Sequence, residues 1–177
     1  MDIRKLKHLE LLSRQKSLSD KSKKLPIIGV LDNIRSAHNV GSIFRTSDGA
    51  GLEKLWLCGI TSYPPNTKLT KTALDSQDHV DWQYQSSIID VVTDLKNKGY
   101  QIVVLEQTTK SCSYEQFAPK FPACLIVGNE TDGVSQEVLP LCDAAIEIPM
   151  QGVKNSMNVS VAFGIIVYQW RVGIMGL

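Results

Sequence analysis

Long apolar runs, clustered metal ligands and the common phosphate and nucleophile motifs are all missing from this chain. The longest apolar stretch, residues 161–168, falls far short of the roughly 20 residues that span a bilayer as a helix. The three histidines, His8, His38 and His79, are scattered, with no H-E-x-x-H or similar ligand spacing. The four cysteines, Cys58, Cys112, Cys124 and Cys142, include no C-x-x-C pair and no zinc pattern. No G-x-S-x-G elbow, no G-x-x-x-x-G-K-[ST] loop and no G-x-G-x-x-G turn after the first strand is present. Metal-dependent hydrolysis, serine hydrolysis, NTP hydrolysis and hydride transfer thereby lose their usual signatures. Cys58, Cys124 and Cys142 lie in or beside apolar runs and read as buried thiols, which fits a reducing compartment. The N-terminus is charged and lacks the apolar core of a signal peptide. The expectation is a soluble cytoplasmic protein.

What is present describes one ordinary globular domain. The 177 residues are 43% hydrophobic and 21% charged, with a net charge of +1, and this length supports a substantial core. The charge is unevenly spread. Residues 1–24 hold eight Lys or Arg against three acids, Asp2, Glu10 and Asp20, so the remainder is mildly acidic. Ile3, Leu6, Leu9 and Leu12 recur at helical spacing, predicting a basic helical arm over residues 1–24 that ends by Pro26. Such an arm fits contact with phosphates, and equally a solvated helical face. Residues 25–177 then form the main domain.

Along that domain, short apolar runs at 27–31, 55–58, 101–105, 124–127 and 144–148 read as strands. Helices are expected over 40–50, 86–98, 135–142 (N-capped by Ser135) and 156–172. Residues 59–81, with Pro64-Pro65, read as a long connection. Strands alternating with helices predict a mainly parallel, Rossmann-like α/β sheet with helices on both faces. The last helix is apolar nearly all round, which suggests burial on most sides and a dimer interface.

Three glycine-punctuated stretches carry the polar chemistry, each where a strand gives way to a loop or helix. They are Asn39-Val40-Gly41-Ser42-Ile43-Phe44-Arg45-Thr46, Gly128-Asn129-Glu130-Thr131-Asp132-Gly133, and Ile148-Pro149-Met150-Gln151-Gly152 running on to Ser156-Met157-Asn158. Open α/β folds bind ligands at such strand ends. Asn39 and Arg45 can border one cavity, and a guanidinium fork suits a phosphate. The plain structural alternative pairs Arg45 with Asp48 and makes Asn39 a helix cap. Glu130 follows an apolar strand, where a carboxylate needs partners; the alternative is a surface acid in a turn. Ser156 and Asn158 open a helix that can hold a small polar ligand, or are simple helix-start residues.

In order, spacing and residue type, the three stretches together resemble the SpoU family, the TrmH-like branch of the SPOUT class of RNA ribose methyltransferases, over residues 26–170. The resemblance implies S-adenosylmethionine-dependent methylation of a ribose 2′-hydroxyl, without a metal. It also implies a homodimer with the site at the interface and a C-terminal trefoil knot, which fold rules alone argue against. Laid on this chain, it makes Arg45 central to catalysis, with Asn39, Glu130, Ser156 and Asn158 beside it. It assigns the cofactor to Gly128, Asn129, Ile148, Met150 and Met157, and to Leu105 and Glu106 after a strand. Two departures are visible: Ser36-Ala37-His38 replaces a proline-containing run, and Met157 stands where Leu is usual. A guanidinium with a pKa above ~12 is a poor base, so Arg45 is expected to clamp the phosphate beside the target ribose. Glu130 is expected to orient Arg45 or neighbouring amides. A tRNA substrate is the first expectation, with rRNA next. The competing readings are a non-catalytic RNA-binding protein on the same fold and a generic nucleotide-binding α/β protein.

Overall fold

The computed structural model describes residues 3–19 and 23–176. Seven strands form one sheet in the order β3-β2-β1-β6-β4-β7-β5, and all six neighbouring pairs are parallel. The strands are β1 (Leu25–Asp32), β2 (Leu52–Cys58), β3 (Trp82–Gln85), β4 (Gln101–Leu105), β5 (Cys112–Ser113), β6 (Ala123–Val127) and β7 (Ala144–Glu147). Central β6 reads Ala-Cys-Leu-Ile-Val and is buried throughout, as a strand covered on both faces should be. Helices α1 (His8–Ser19), α2 (Ala37–Ala50), α3 (Thr67–Ala73), α4 (Ile88–Asn97) and α5 (Val159–Met175) complete the elements, with short 3-10 turns between.

Two apolar layers enclose the sheet. On one face α2 and α5 bring Phe44, Phe163 and Trp170 against Leu31, Leu55 and Leu125. On the other, Val91, Val92 and Leu95 of α4 meet Val30, Val104 and Ile126. Phe117 and Phe121, from the chain between β5 and β6, pack their rings on Trp170 of α5 at 6.5 and 6.3 Å between centroids. The doubly wound parallel sheet expected from the alternation is therefore what forms.

Several local expectations are corrected. Among the described residues the arm helix spans His8–Ser19, and residues 3–7 are not helical; Asp2, Asp20 and Lys21 lie outside the described residues. The apolar positions foreseen for its stripe stay exposed, Leu9 at 77% and Leu12 at 49%, as does Ile3 before the helix at 94%. Pro26 does not stop a helix but sits in β1, at a register shift between Leu25 and Ile28, where a residue without N–H is tolerated. Residues 59–81 are not one long connection. They contain α3, capped by the Asn66 side chain on the amides of Lys68 and Leu69, and a 3-10 turn at Ser76–Asp78. Strands β3 and β5 were not expected. The helix foreseen at 135–142 is a 3-10 segment, Gln136–Leu141, containing Pro140; the Ser135 side chain does not cap it. Helix α5 begins at Val159, three residues later than foreseen, and is buried along one side only; Val161, Tyr168, Val172 and Met175 are each 43–53% exposed.

Trp170, 2% exposed, fastens α5 between the sheet and the 117–121 segment. Trp170→Ala is expected to cost about 3–5 kcal/mol, read as a lower urea midpoint with α5 destabilised first in hydrogen exchange.

Candidate functional site at the carboxyl edge of the sheet

Because every strand runs the same way, the loops after β1, β4, β6 and β7 emerge at one edge. Polar side chains then fix them to one another. Asp32, the fully buried last residue of β1, accepts the Ser135 amide at 2.7 Å and the Asn33 side-chain amide at 2.8 Å. Asn33 adopts φ 55°, a conformation that Asn tolerates. Its carbonyl accepts from the Asn129 side chain at 2.9 Å, and its Oδ1 from the Ile60 amide at 3.1 Å.

The start of α2 is built around Glu130. Ser36 is the N-cap and its Oγ accepts the Asn39 amide, so the serine that replaces the family's proline-containing run has a local purpose. Asn39 is not the cap. Instead its side chain bridges two distant loops. The Glu130 carboxylate accepts from the Arg35 amide (3.0 Å), the Ser36 amide (3.2 Å) and Asn39 Nδ2 (2.7 Å). Asn39 Oδ1 in turn accepts Asn158 Nδ2 at 3.0 Å. Asn158 Oδ1 accepts the Ser160 amide and hydroxyl at 2.9 and 2.6 Å, capping α5. The amide orientations are dictated by the ends: only an N–H faces a carboxylate, and only an oxygen caps a helix. Partial burial raises the Glu130 pKa, but the Asn39 side chain and the amides of Arg35, Glu130 itself and Ser36 outweigh it and hold the carboxyl below its ordinary value. An anion at the N-terminus of α2 is also favoured by the helix dipole.

Beside this network lies a cavity of about 450 Å³, a size that takes a cofactor-sized ligand. All seven residues expected to hold the cofactor line it: Leu105 and Glu106 after β4, Gly128 and Asn129 after β6, Ile148 and Met150 after β7, and Met157. Glu130, Ser156 and Asn158 line it as well. Gly128 has no room for a side chain, because a Cβ would stand 2.3 Å from the backbone of Gly133 and Val134. Gly133 turns at φ 72°, and a Cβ there would strike Glu106. Glu106 spans two loops, accepting the Gln107 amide at 2.9 Å and the Val134 amide at 3.0 Å.

Arg45 and Asn39 do not line the cavity. Arg45 is exposed on α2, and its side chain has no hydrogen-bond or ion-pair partner among the described residues; the foreseen alternative pair with Asp48 does not form, and Glu130 orients backbone amides rather than Arg45. His38 belongs to α2. Gln107, Asn155 and Glu147 were missed, although each directly neighbours an expected residue. The Gln107 side chain donates to the Asn155 carbonyl, and Ser111 to Glu147. Among the described residues no three or more His, Cys, Asp or Glu converge as metal ligands, and no helix is long and apolar enough to cross a membrane. Burial pushes the Cys58 thiol up to about 12 and that of Cys142 to about 11, so neither serves as a thiolate at neutral pH.

Glu130→Gln sets an NH₂ against amides that need an acceptor. The variant is expected to melt about 2–4 °C lower at neutral pH, the shift that ~1 kcal/mol gives in a chain of this size. A lowered carboxyl pKa stabilises the fold above the unfolded value, near ~4.3, and this is lost as pH falls through the lower folded value. Melting curves of both proteins in acid should therefore converge.

A sequence model of the SpoU rRNA Methylase family matches residues 26–168. The tRNA (guanosine(18)-2′-O)-methyltransferase of Aquifex aeolicus is 32% identical over 161 residues, covering 89% of this chain and 74% of that protein. The crystal structure of the A. aeolicus TrmH/SpoU tRNA modifying enzyme superposes with a TM-score of 0.80 at 31% identity, covering 94% of this chain and 86% of that one. AviRb, a SpoU methyltransferase from Streptomyces viridochromogenes solved with AdoMet, gives 0.77 at 25% identity over 89% of this chain and 64% of its own. Other curated relatives are longer, and the chain spans 58–60% of their length. With the family match running from the first strand into the second half of α5, the chain belongs to the SpoU rRNA Methylase family.

Proposed function

We propose that this protein transfers a methyl group from S-adenosylmethionine to a ribose 2′-hydroxyl of structured RNA, with tRNA the first candidate substrate. One observation carries the reading: the Glu130–Asn39–Asn158 network joins all three motif stretches at the rim of one cavity. The named activities of the Aquifex and Escherichia coli relatives, both tRNA (guanosine(18)-2′-O)-methyltransferases, support the RNA substrate. The cavity fits the cofactor chemically. Leu105, Ile148 and Met157 offer apolar walls, the bare Gly128 backbone allows close approach, and the Glu106, Glu130 and Glu147 carboxylates suit a sulfonium cation. When bound, S-adenosylmethionine supplies the electrophilic methyl, so no metal is needed.

The chain's own groups then have to align the acceptor. Both side-chain atoms of Asn39 are engaged, Nδ2 by Glu130 and Oδ1 by Asn158. Asn39 and Asn158 are thus positioning residues that hold the rim, and Glu130 sets the start of α2. Arg45, uncompensated and exposed, is free to clamp a phosphate beside the target ribose and turn the 2′-hydroxyl toward the methyl donor. Proton loss then falls to a phosphate oxygen or water. Arg45 lies outside the cavity lining of its own chain. A homodimer supplying it to a partner's cavity fits this, as does the exposed side of α5. The trefoil knot is supported by β7 lying between β4 and β5 and by α5 packed beneath Phe117 and Phe121. Residues 1–24 act as a basic RNA-contacting arm on a methyltransferase domain of residues 25–177, working in the cytoplasm.

Arg45→Ala is expected to bind cofactor normally by calorimetry and to lose about 10²-fold or more in methyl transfer to bulk tRNA; near-normal turnover refutes the clamp. Removing residues 1–24 is expected to weaken RNA binding and flatten its salt dependence, whereas an unchanged slope makes the arm a structural element.

A further inference from the structure

Outside the cavity, an aromatic ladder stands at the free edge of the sheet. Trp82 of edge strand β3 packs edge-on against buried Phe44 of α2, 6.4 Å between centroids. Tyr63, from the loop before α3, stacks on Trp82 at 6.4 Å and meets Tyr84 at 4.5 Å. Tyr84 is further fixed by its hydroxyl, which donates to the Gly59 carbonyl at 3.0 Å. The inner ring is anchored in the core, yet Tyr63 is 46% and Tyr84 40% exposed. Rigid rings that keep so much surface in water are organised for a ligand with a flat apolar face.

The surroundings say which ligand. Residues 33–47 and 59–74 contain no Asp or Glu, but hold Arg35, Arg45, Lys68 and Lys71. All four are exposed, and among the described residues none has an ion-pair partner. The two segments are in close contact, because a Cβ on Gly41 of α2 would stand 2.4 Å from the Leu69 carbonyl of α3. Lys68 and Lys71, three apart on a helix, share a side. Four exposed cations without ion-pair partners among the described residues, beside stacked rings, match a chain of phosphates carrying unpaired bases.

The ladder is also wired to the site. Thr61 Oγ1 accepts the Ile34 amide and the Ile60 amide reaches Asn33 Oδ1; the next two residues, Arg35 and Ser36, give their amides to Glu130. We propose that Tyr63 and Tyr84 stack an unpaired base of the RNA strand, with Lys68 and Lys71 holding its phosphates. This platform is separate from the cavity and would select substrates with a single-stranded segment next to the methylated nucleotide. It rests on the RNA methyltransferase reading above.

The probe is a fluorescein-labelled oligouridylate, with bulk tRNA as competitor, titrated into the full chain at several salt concentrations. Tyr63→Ala is expected to weaken binding about tenfold with an unchanged salt slope, while Tyr63→Phe binds like wild type. Lys68→Ala with Lys71→Ala is expected to lower the slope by about 0.7 per lysine. Cofactor binding by calorimetry should be the same in all variants, which separates lost stacking from lost folding. In the wild-type chain, ultraviolet cross-linking of a thiouridine-substituted oligouridylate should mark the peptide containing Tyr63. Unchanged affinity in Tyr63→Ala, or cross-links confined to other peptides, overturns the platform and leaves the rings as a seal on the β3 edge. A wild-type chain that binds neither RNA overturns the methyltransferase reading together with the platform.

Discussion

The carboxylate of Glu130 takes three N–H bonds from the turn and first residues of α2, about ninety positions earlier in the chain. A parallel sheet gathers its loops at one edge, but gathering is not alignment, and loops alone are the mobile part of such folds. Alignment comes from charged and amide side chains crossing between loops. Glu106 fixes the β4 loop to the β6 turn, and Asp32 fixes β1 to the segment after that turn. Charge-assisted bonds of this kind are short and directional. They also explain why acids stand at strand ends in an apolar sheet, since a carboxylate there is tolerated only with its donors present.

Much of this was legible in the residues. Strand β4 was read to its exact ends, and β1 and β6 within two residues, because buried parallel strands are continuous apolar runs. Strand β3 was not, because Trp-Gln-Tyr-Gln is half polar and lies at an edge, and β5 is only two residues long. Helix α3 was hidden by Pro64-Pro65 before it and by its Thr and Lys content, although Asn66 was a readable cap. The seven residues expected to hold the cofactor line one cavity: Leu105, Glu106, Gly128, Asn129 and Ile148 stand at or just past strand ends, where no knowledge of tertiary packing is needed, while Met150 and Met157 lie on the connection from β7 to α5. Asn39 and Arg45 do not line it, and Arg45 does not share the side of Asn39 either. Six residues at ~100° each place it about 120° around α2 from Asn39, so membership of one motif never guaranteed one direction.

That angular difference shapes the chemistry that α2 can support. Its Asn39 side turns inward to the network, where both polar atoms of the amide are already engaged. Its Arg45 side turns outward, where even Asp48, three positions on along the same helix, forms no ion pair with the guanidinium. One helix therefore carries a rigid rim on one side and an open cationic surface on the other. A substrate phosphate meets no internal salt bridge that it must displace, so the full electrostatic attraction acts on binding. The aromatic ladder extends that same surface, and its inner ring leans on Phe44, the residue next to Arg45 on α2. Loss of packing beneath α2 would therefore disturb the rim and the cationic face together, because a single rigid helix fixes both.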